Sequence, residues 1–333
     1  MEYDLVIHKI ADYFLSSKIY NEEEYQRAFL SLLDTIACIY ETVQSAEPAK
    51  ILEAIVPGTE VPLGARVPGT FLLLDPTQAA FELVLLTGWF AHHETVYLEN
   101  RQIHPSDLIG PIIAVGDYIS RKKFVRGLQP LKLKDILDVL IKSYFCFVHL
   151  NQQINLKDLG LDENFFLKII ATAAVLSLIK PDMSLIKAGI SLAFGDGSQF
   201  GFRGFQSVKH ENHRQAWRNG FECAQSIRLA YLVIQGQQGI PNILSEPDHG
   251  LEKKVFGKSL YFETKEKEIK IFNQCMVREH LNSKEKVREK FKLKSEKFIP
   301  PSQISECLAL ADHISLGLDY SFSKIMDFFS FAR

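Results

Sequence analysis

Apolar residues recur at the helical period along most of this chain. Ile136, Leu137, Leu140, Ile141, Tyr144, Phe145 and Val148 follow Asp135 at that spacing, which predicts a helix over about 133–152 with Asp135 as its cap. Phe165, Phe166, Ile169, Ile170, Ala173 and Ala174 repeat the pattern after Asp162, and Pro181 stops it. A third stripe, with Leu185, Ala188, Gly189, Leu192 and Ala193, ends at Gly195-Asp196-Gly197. A fourth is anchored by Trp217, Phe221, Ala224 and Tyr231 and closed by Gly236, Gly239 and Pro241. Two N-terminal helices are predicted at roughly 4–17 and 21–44. Near the other end Pro300-Pro301-Ser302 opens a helix with Cys307, Leu308 and Ala311, and Phe322, Ile325, Phe328 and Phe329 mark a last amphipathic segment. Small residues on the stripes let helix axes approach closely. Alternating strand patterns are nearly absent before residue 250, so the fold class is mainly α, a helical bundle.

Composition adds bounds. With 47% apolar and 23% charged residues the chain can bury a sizeable core. A net charge of -2 gives no whole-chain case for nucleic-acid binding. Residues 252–297 are the local exception: 14 Lys and Arg against 8 Glu give +6 there and leave -8 elsewhere. Glu and Lys interleave with few aromatics, which favours a solvated helical face or linker. The acidic start, Met1-Glu2-Tyr3-Asp4, does not read as a signal peptide, and no apolar run approaches membrane-spanning length. The expectation is a soluble cytoplasmic protein with no membrane partner. Five dispersed cysteines without C-x-x-C spacing argue against a disulfide framework and against a zinc or iron-sulfur site.

The stretch from Val56 to Asp117 is unusual. It carries Val56-Pro57-Gly58-Thr59, Arg66-Val67-Pro68-Gly69-Thr70 and His104-Pro105-Ser106-Asp107 in fixed order. With Leu33-Asp34-Thr35, Asp75-Pro76, Gln78-Ala79-Ala80-Phe81, Asp117-Tyr118, Asp196-Gly197, Trp217 with Gly220, Arg228-Leu229-Ala230 and Lys290-Phe291-Lys292, this order resembles the 2-methylcitrate dehydratase (MmgE/PrpD) family. The resemblance covers about 30–262 and 287–331. It implies a large helical domain, a cofactor-free and usually dimeric lyase, and a small tricarboxylate as ligand. It also divides the chain into a helical domain over 1–262, a short basic remnant over 263–289 in place of the family's smaller α/β domain, and C-terminal helices over 290–333 packing back on the first domain. A cleft lacking that second domain would be open to water, which weakens every electrostatic contact in it.

Dehydration of such an acid requires a base beside a carboxylate, an acid for the leaving hydroxyl, and cations for the carboxylates. The resemblance places an Asp-x-x-x-Thr phrase after a Trp; here Trp89 and Thr95 are kept and the Asp position is Ala91. Glu94 is the second acidic position, preceded by His92 and His93. His104 matches outright. A later family His falls on Glu163, and a family Lys falls on Gln215 beside Arg214. The candidate catalytic residues are therefore His104, Glu94 and His93, and the candidate substrate-binding residues are Thr95, Arg203 and Arg214, with no metal and no cofactor. Two readings stay open: a degenerate relative that binds a metabolite or a partner without turnover, and an active minimal dehydratase converting 2-methylcitrate to 2-methyl-aconitate. His210 and His213 read as a solvated loop.

Overall fold

The computed structural model describes residues 2–98, 101–162, 164–196, 211–264 and 284–331. Caps decide where the long helices start. Helix α1 spans Leu5–Leu15, and α2 spans Glu22–Val43. Asn21 opens α2 with a reciprocal cap: its side chain accepts from the Glu24 amide at 2.9 Å while its own amide donates to the Glu24 carboxylate at 2.7 Å. Asp75 accepts from the amides of Thr77 and Gln78 at the head of α3, Pro76–Gly88. Helix α4 spans Ile109–Val125 and α5 spans Leu133–Gln153. Asp135, expected as the cap of α5, stands inside its first turn and accepts from the Lys132 amide at 2.8 Å. It thus caps backwards from the third helical position. Helices α6 (Phe165–Ile179), α7 (Met183–Gly195) and α8 (Glu211–Ile234) follow.

The architecture is mainly α, as the periodicity predicts. Helix α6 is buried among α5, α7 and α8, and α3 makes its broadest packing against α8. The stripe expected to anchor α8 corrects the sequence reading. Trp217, Ala224 and Tyr231 are half-buried and Phe221 is exposed, whereas Ala216, Gly220, Cys223, Ile227 and Ala230 face inward. Small side chains let α8 approach α3 closely, and that closeness leaves no room for the large ones.

Two short antiparallel ribbons are set into the helices. β1 (Ala65–Arg66) pairs with β2 (Leu73–Leu74), and β3 (Val96–Leu98) pairs with β4 (Arg101–Ile103). The turn of the first ribbon holds Gly69 at φ +73, where a β-carbon would meet the rings of Tyr40 at 3.0 Å and Phe298 at 3.2 Å. Only glycine fits there without strain. Arg66 grips Asp117 through Nε at 3.0 Å and Nη2 at 2.6 Å, and reaches the Ser323 carbonyl and Asp327. The Arg66 and Asp117 phrases therefore tie the C-terminal segment to α4.

That segment consists of α9 (Lys284–Ser295), α10 (Pro301–Asp312) and α11 (Phe322–Asp327). Helix α9 lies along α2, with Lys290 on Asp34 at 2.7 Å and Lys294 on Glu41 at 2.8 Å. Phe291, Phe322 and Phe329 join one core with the N-terminal helices. Cys38, Cys146, Cys223 and Cys307 are buried free thiols. No helix among the described residues is long and apolar enough to cross a membrane.

Candidate functional site

The candidate residues sit where α3 ends and the second ribbon begins. Gly88 terminates α3 against α8: a β-carbon there would lie 3.2 Å from that of Ala216. Ala91 then turns the chain with φ 54, a conformation that alanine adopts rarely. The register of the ribbon pairs Val96 with Ile103, so Thr95 and His104 fall on the next rung. Their side chains meet there, with Thr95 Oγ1 3.2 Å from His104 Nδ1.

This contact fixes the chemistry of His104. Its Nδ1 also lies 3.2 Å from the backbone carbonyl of Glu94, which can only accept. The Thr95 hydroxyl donates to the His93 carbonyl at 3.2 Å and so presents a lone pair to the ring. Nδ1 therefore carries the proton, and Nε2 holds the basic lone pair of the neutral imidazole. Thr95 orients His104, a role that its expected place in substrate binding did not include.

His93 is buried behind His104, with ring centroids 4.3 Å apart. Burial first, then the neighbouring His104 and Lys290, hold its pKa well below the ordinary histidine value, so its ring is neutral. Its Nε2 lies 3.7 Å from Asp107 Oδ1. Asp107, at the end of the His-Pro-Ser-Asp phrase, is likewise buried. Its other oxygen accepts from Asn219 of α8 at 2.7 Å, and Asn219 accepts in turn from Gln215 at 3.0 Å and Asn164 at 3.2 Å. A polar file thus runs inward from half-buried His104 through His93 and Asp107 to Asn219. Gln215, where the resemblance expects a lysine, belongs to that file as a neutral donor.

Glu94 faces elsewhere. Its carboxylate is buried against α2 and α5, accepting from Ser31 Oγ at 2.5 Å and Tyr144 OH at 2.8 Å. Burial raises its pKa to about 7, against the hydrogen bonds from Ser31 and Tyr144. It is the backbone carbonyl of Glu94, not its carboxylate, that meets His104. Lys290 completes the shell: its ammonium donates to Asp34 at 2.7 Å, to Cys38 Sγ at 3.0 Å and to the His92 carbonyl at 3.0 Å. Burial opposes its charge, but Cys38 and Asp34 override this and hold its pKa above the ordinary lysine value.

The remaining candidates are scattered. Arg214 lies over the Trp217 ring, 5.3 Å from its centroid. His213 stacks on Trp89 with centroids 4.0 Å apart, which gives this side chain a packing role in place of the expected solvated loop. Ala91 and His92 are exposed, and His92 meets Glu41 at 3.2 Å. Arg203, Glu163 and His210 lie outside the described residues. Among the described residues no group of three or more His, Cys, Asp or Glu could hold a metal ion. Sequence reasoning passed over Asp107, Asn219 and Lys290 as site residues. Asp107 and Lys290 stood in the quoted phrases, but their facing partners come from distant elements.

The family model for the MmgE/PrpD N-terminal domain matches residues 8–263. The 2-methylcitrate dehydratase of Escherichia coli (strain K12) is 33% identical over 263 residues, covering 79% of this chain and 54% of the relative. That of Cupriavidus necator is 32% identical over 253 residues, covering 76% and 52%. Alkylcitrate dehydratase phiI of a fungal species is 34% identical over 264 residues, covering 77% and 51%. The chain spans about half the length of these curated relatives.

Proposed function

Because the chain belongs to the MmgE/PrpD family, we propose that it keeps a site for a citrate-like acid and binds such a ligand without efficient dehydration. The observation that carries this reading is the direction of Glu94. With Ala91 in place of an acidic residue, Glu94 is the nearest carboxylate in the chain to serve as base, yet Ser31 and Tyr144 hold its carboxylate inside the protein. Its protonated form is also favoured by burial up to about pH 7. A positioned acid or base contributes roughly 10²- to 10⁴-fold to rate, so its loss weighs heavily. Gln215 adds no charge to hold a carboxylate. Lys290 does not replace it, since Asp34 already neutralises that ammonium.

One arrangement favours the active alternative: His104, with its basic Nε2, is backed by His93 and Asp107, which could exchange protons. The purified chain mixed with 2-methylcitrate or citrate separates the two readings through the absorbance of the conjugated double bond, with calorimetry reporting binding. Binding with a rate near background is expected. Efficient turnover that disappears in His104→Ala would overturn the proposal.

A further inference from the structure

We propose that Asp107 and His93 form a proton-sharing pair in which His93 changes tautomer when Asp107 ionises, making Asp107 a positioning residue that sets the basicity of His104. The inference deepens the reading of the site around His104 and rests on it.

Asn219 supplies the first step. Its Oδ1 accepts from Gln215 and Asn164, so the end of its amide that faces Asp107 is the nitrogen, a donor. A donor at Oδ2 leaves Oδ1 as the oxygen that carries the acid proton. Oδ1 is buried and makes no hydrogen bond among the described residues, and the same is true of both ring nitrogens of His93. A buried polar group left unsatisfied costs about 1–3 kcal/mol. Donor and acceptor groups of complementary kind thus face each other across 3.7 Å.

Two states pair Asp107 Oδ1 with His93 Nε2. In the first, Asp107 Oδ1–H donates to His93 Nε2, and the ring proton sits on Nδ1. In the second, the ionised Asp107 accepts from Nε2–H. Passing from one to the other breaks the Oδ1–H bond, forms Nε2–H, and releases the Nδ1 proton to solvent. One proton leaves and the imidazole stays neutral in both states. Burial of His93, with His104, Lys290 and His92 around it, disfavours the imidazolium throughout. Burial raises Asp107 to about 7, opposed by Asn219 and aided by Asp162.

The surrounding charges are accounted for element by element. Before α6, Asp162 is paired with Arg218 of α8 at 3.4 Å. From α8, Cys223 Sγ lies 3.6 Å from the Asp107 carbonyl, with its thiol pushed well up by burial, and burial also raises its neighbour Glu222. From α9, Lys290 is neutralised by Asp34, and Glu94 is shielded by Ser31 and Tyr144. An ionised Asp107 therefore adds negative charge behind His104 and strengthens its hold on a proton.

Nitrogen-15 NMR of the histidine-labelled full chain tests this without any ligand. In the wild type, His93 should pass from the Nδ1–H to the Nε2–H tautomer with a midpoint of about 7, never becoming imidazolium between about pH 5 and about pH 8. Asp107→Asn should freeze one tautomer and lower the His104 midpoint by about one unit, a tenfold loss of proton affinity. Asp107→Glu should restore the switch. A single His93 tautomer across that range in the wild type overturns the proposal even where Asp107→Asn fails to fold, and so does a His104 midpoint that ignores Asp107→Asn. Turnover of 2-methylcitrate would overturn the non-catalytic reading alone, and a silent His93 would overturn the switch alone.

Discussion

Glu94 shows how far one carboxyl can depart from what its position in the sequence suggests. As the acidic residue two positions after His92, it is the natural candidate base; in the fold it is a core residue. Among the described residues Glu82, Glu94 and Asp107 share this condition, each raised to about 7 by burial. An unfolded Glu ionises near 4.3 and an unfolded Asp near 3.9. Between those values and about 7 the folded chain binds more protons than the unfolded one, so these groups add stability that is fully present below about pH 4 and is lost as pH rises through 7. Glu94→Gln keeps an acceptor for Ser31 and Tyr144 and removes the buried charge. It should be near neutral at acid pH and stabilise by on the order of 1–3 kcal/mol above pH 7. Urea midpoints taken on both sides of neutrality measure the difference, and an equal effect at both would rule out this titration.

At the level of elements, the site depends on how closely α3 and α8 approach. A β-carbon on Gly220 would lie 2.8 Å from the Phe81 carbonyl and 2.9 Å from its ring. A backbone oxygen cannot move aside cheaply, so Gly220→Ala should cost about 1–3 kcal/mol in chemical denaturation. Gly195→Ala is the control, since its new methyl would meet nothing nearer than Ile243 at 3.6 Å. A cost no larger for Gly220 than for Gly195 would show that the helices slide apart freely. The helix α8 was legible from its periodicity, but its inward face was not. Aromatic residues at helical spacing, Trp217 and Phe221, look like a core stripe until the neighbouring helix proves too near to admit them.

For the whole molecule, the C-terminal segment closes a core begun by α2. Phe322, Ile325, Met326 and Phe329 are fully buried, and Arg66 ties α11, which carries the first three, to Asp117. Burying one such side chain contributes about 1.5–3 kcal/mol, so four approach the about 5–15 kcal/mol that holds a typical domain together. A chain cut after Asp312 should show no cooperative thermal transition; a sharp one would mean that the helices before it fold alone.

The sequence by itself determined the helices, their approximate limits and the family, because periodicity, caps and an ordered set of short phrases are local signals that survive in one dimension. It also marked His104. Only the tertiary structure decided that Thr95 and Glu94 O fix the tautomer of that histidine, that the Glu94 carboxylate turns to Ser31 and Tyr144, and that Asp107 faces His93. Each of these depends on which residue from a distant helix stands opposite. Such pairing follows from the packing of whole elements, and no spacing along the chain records it.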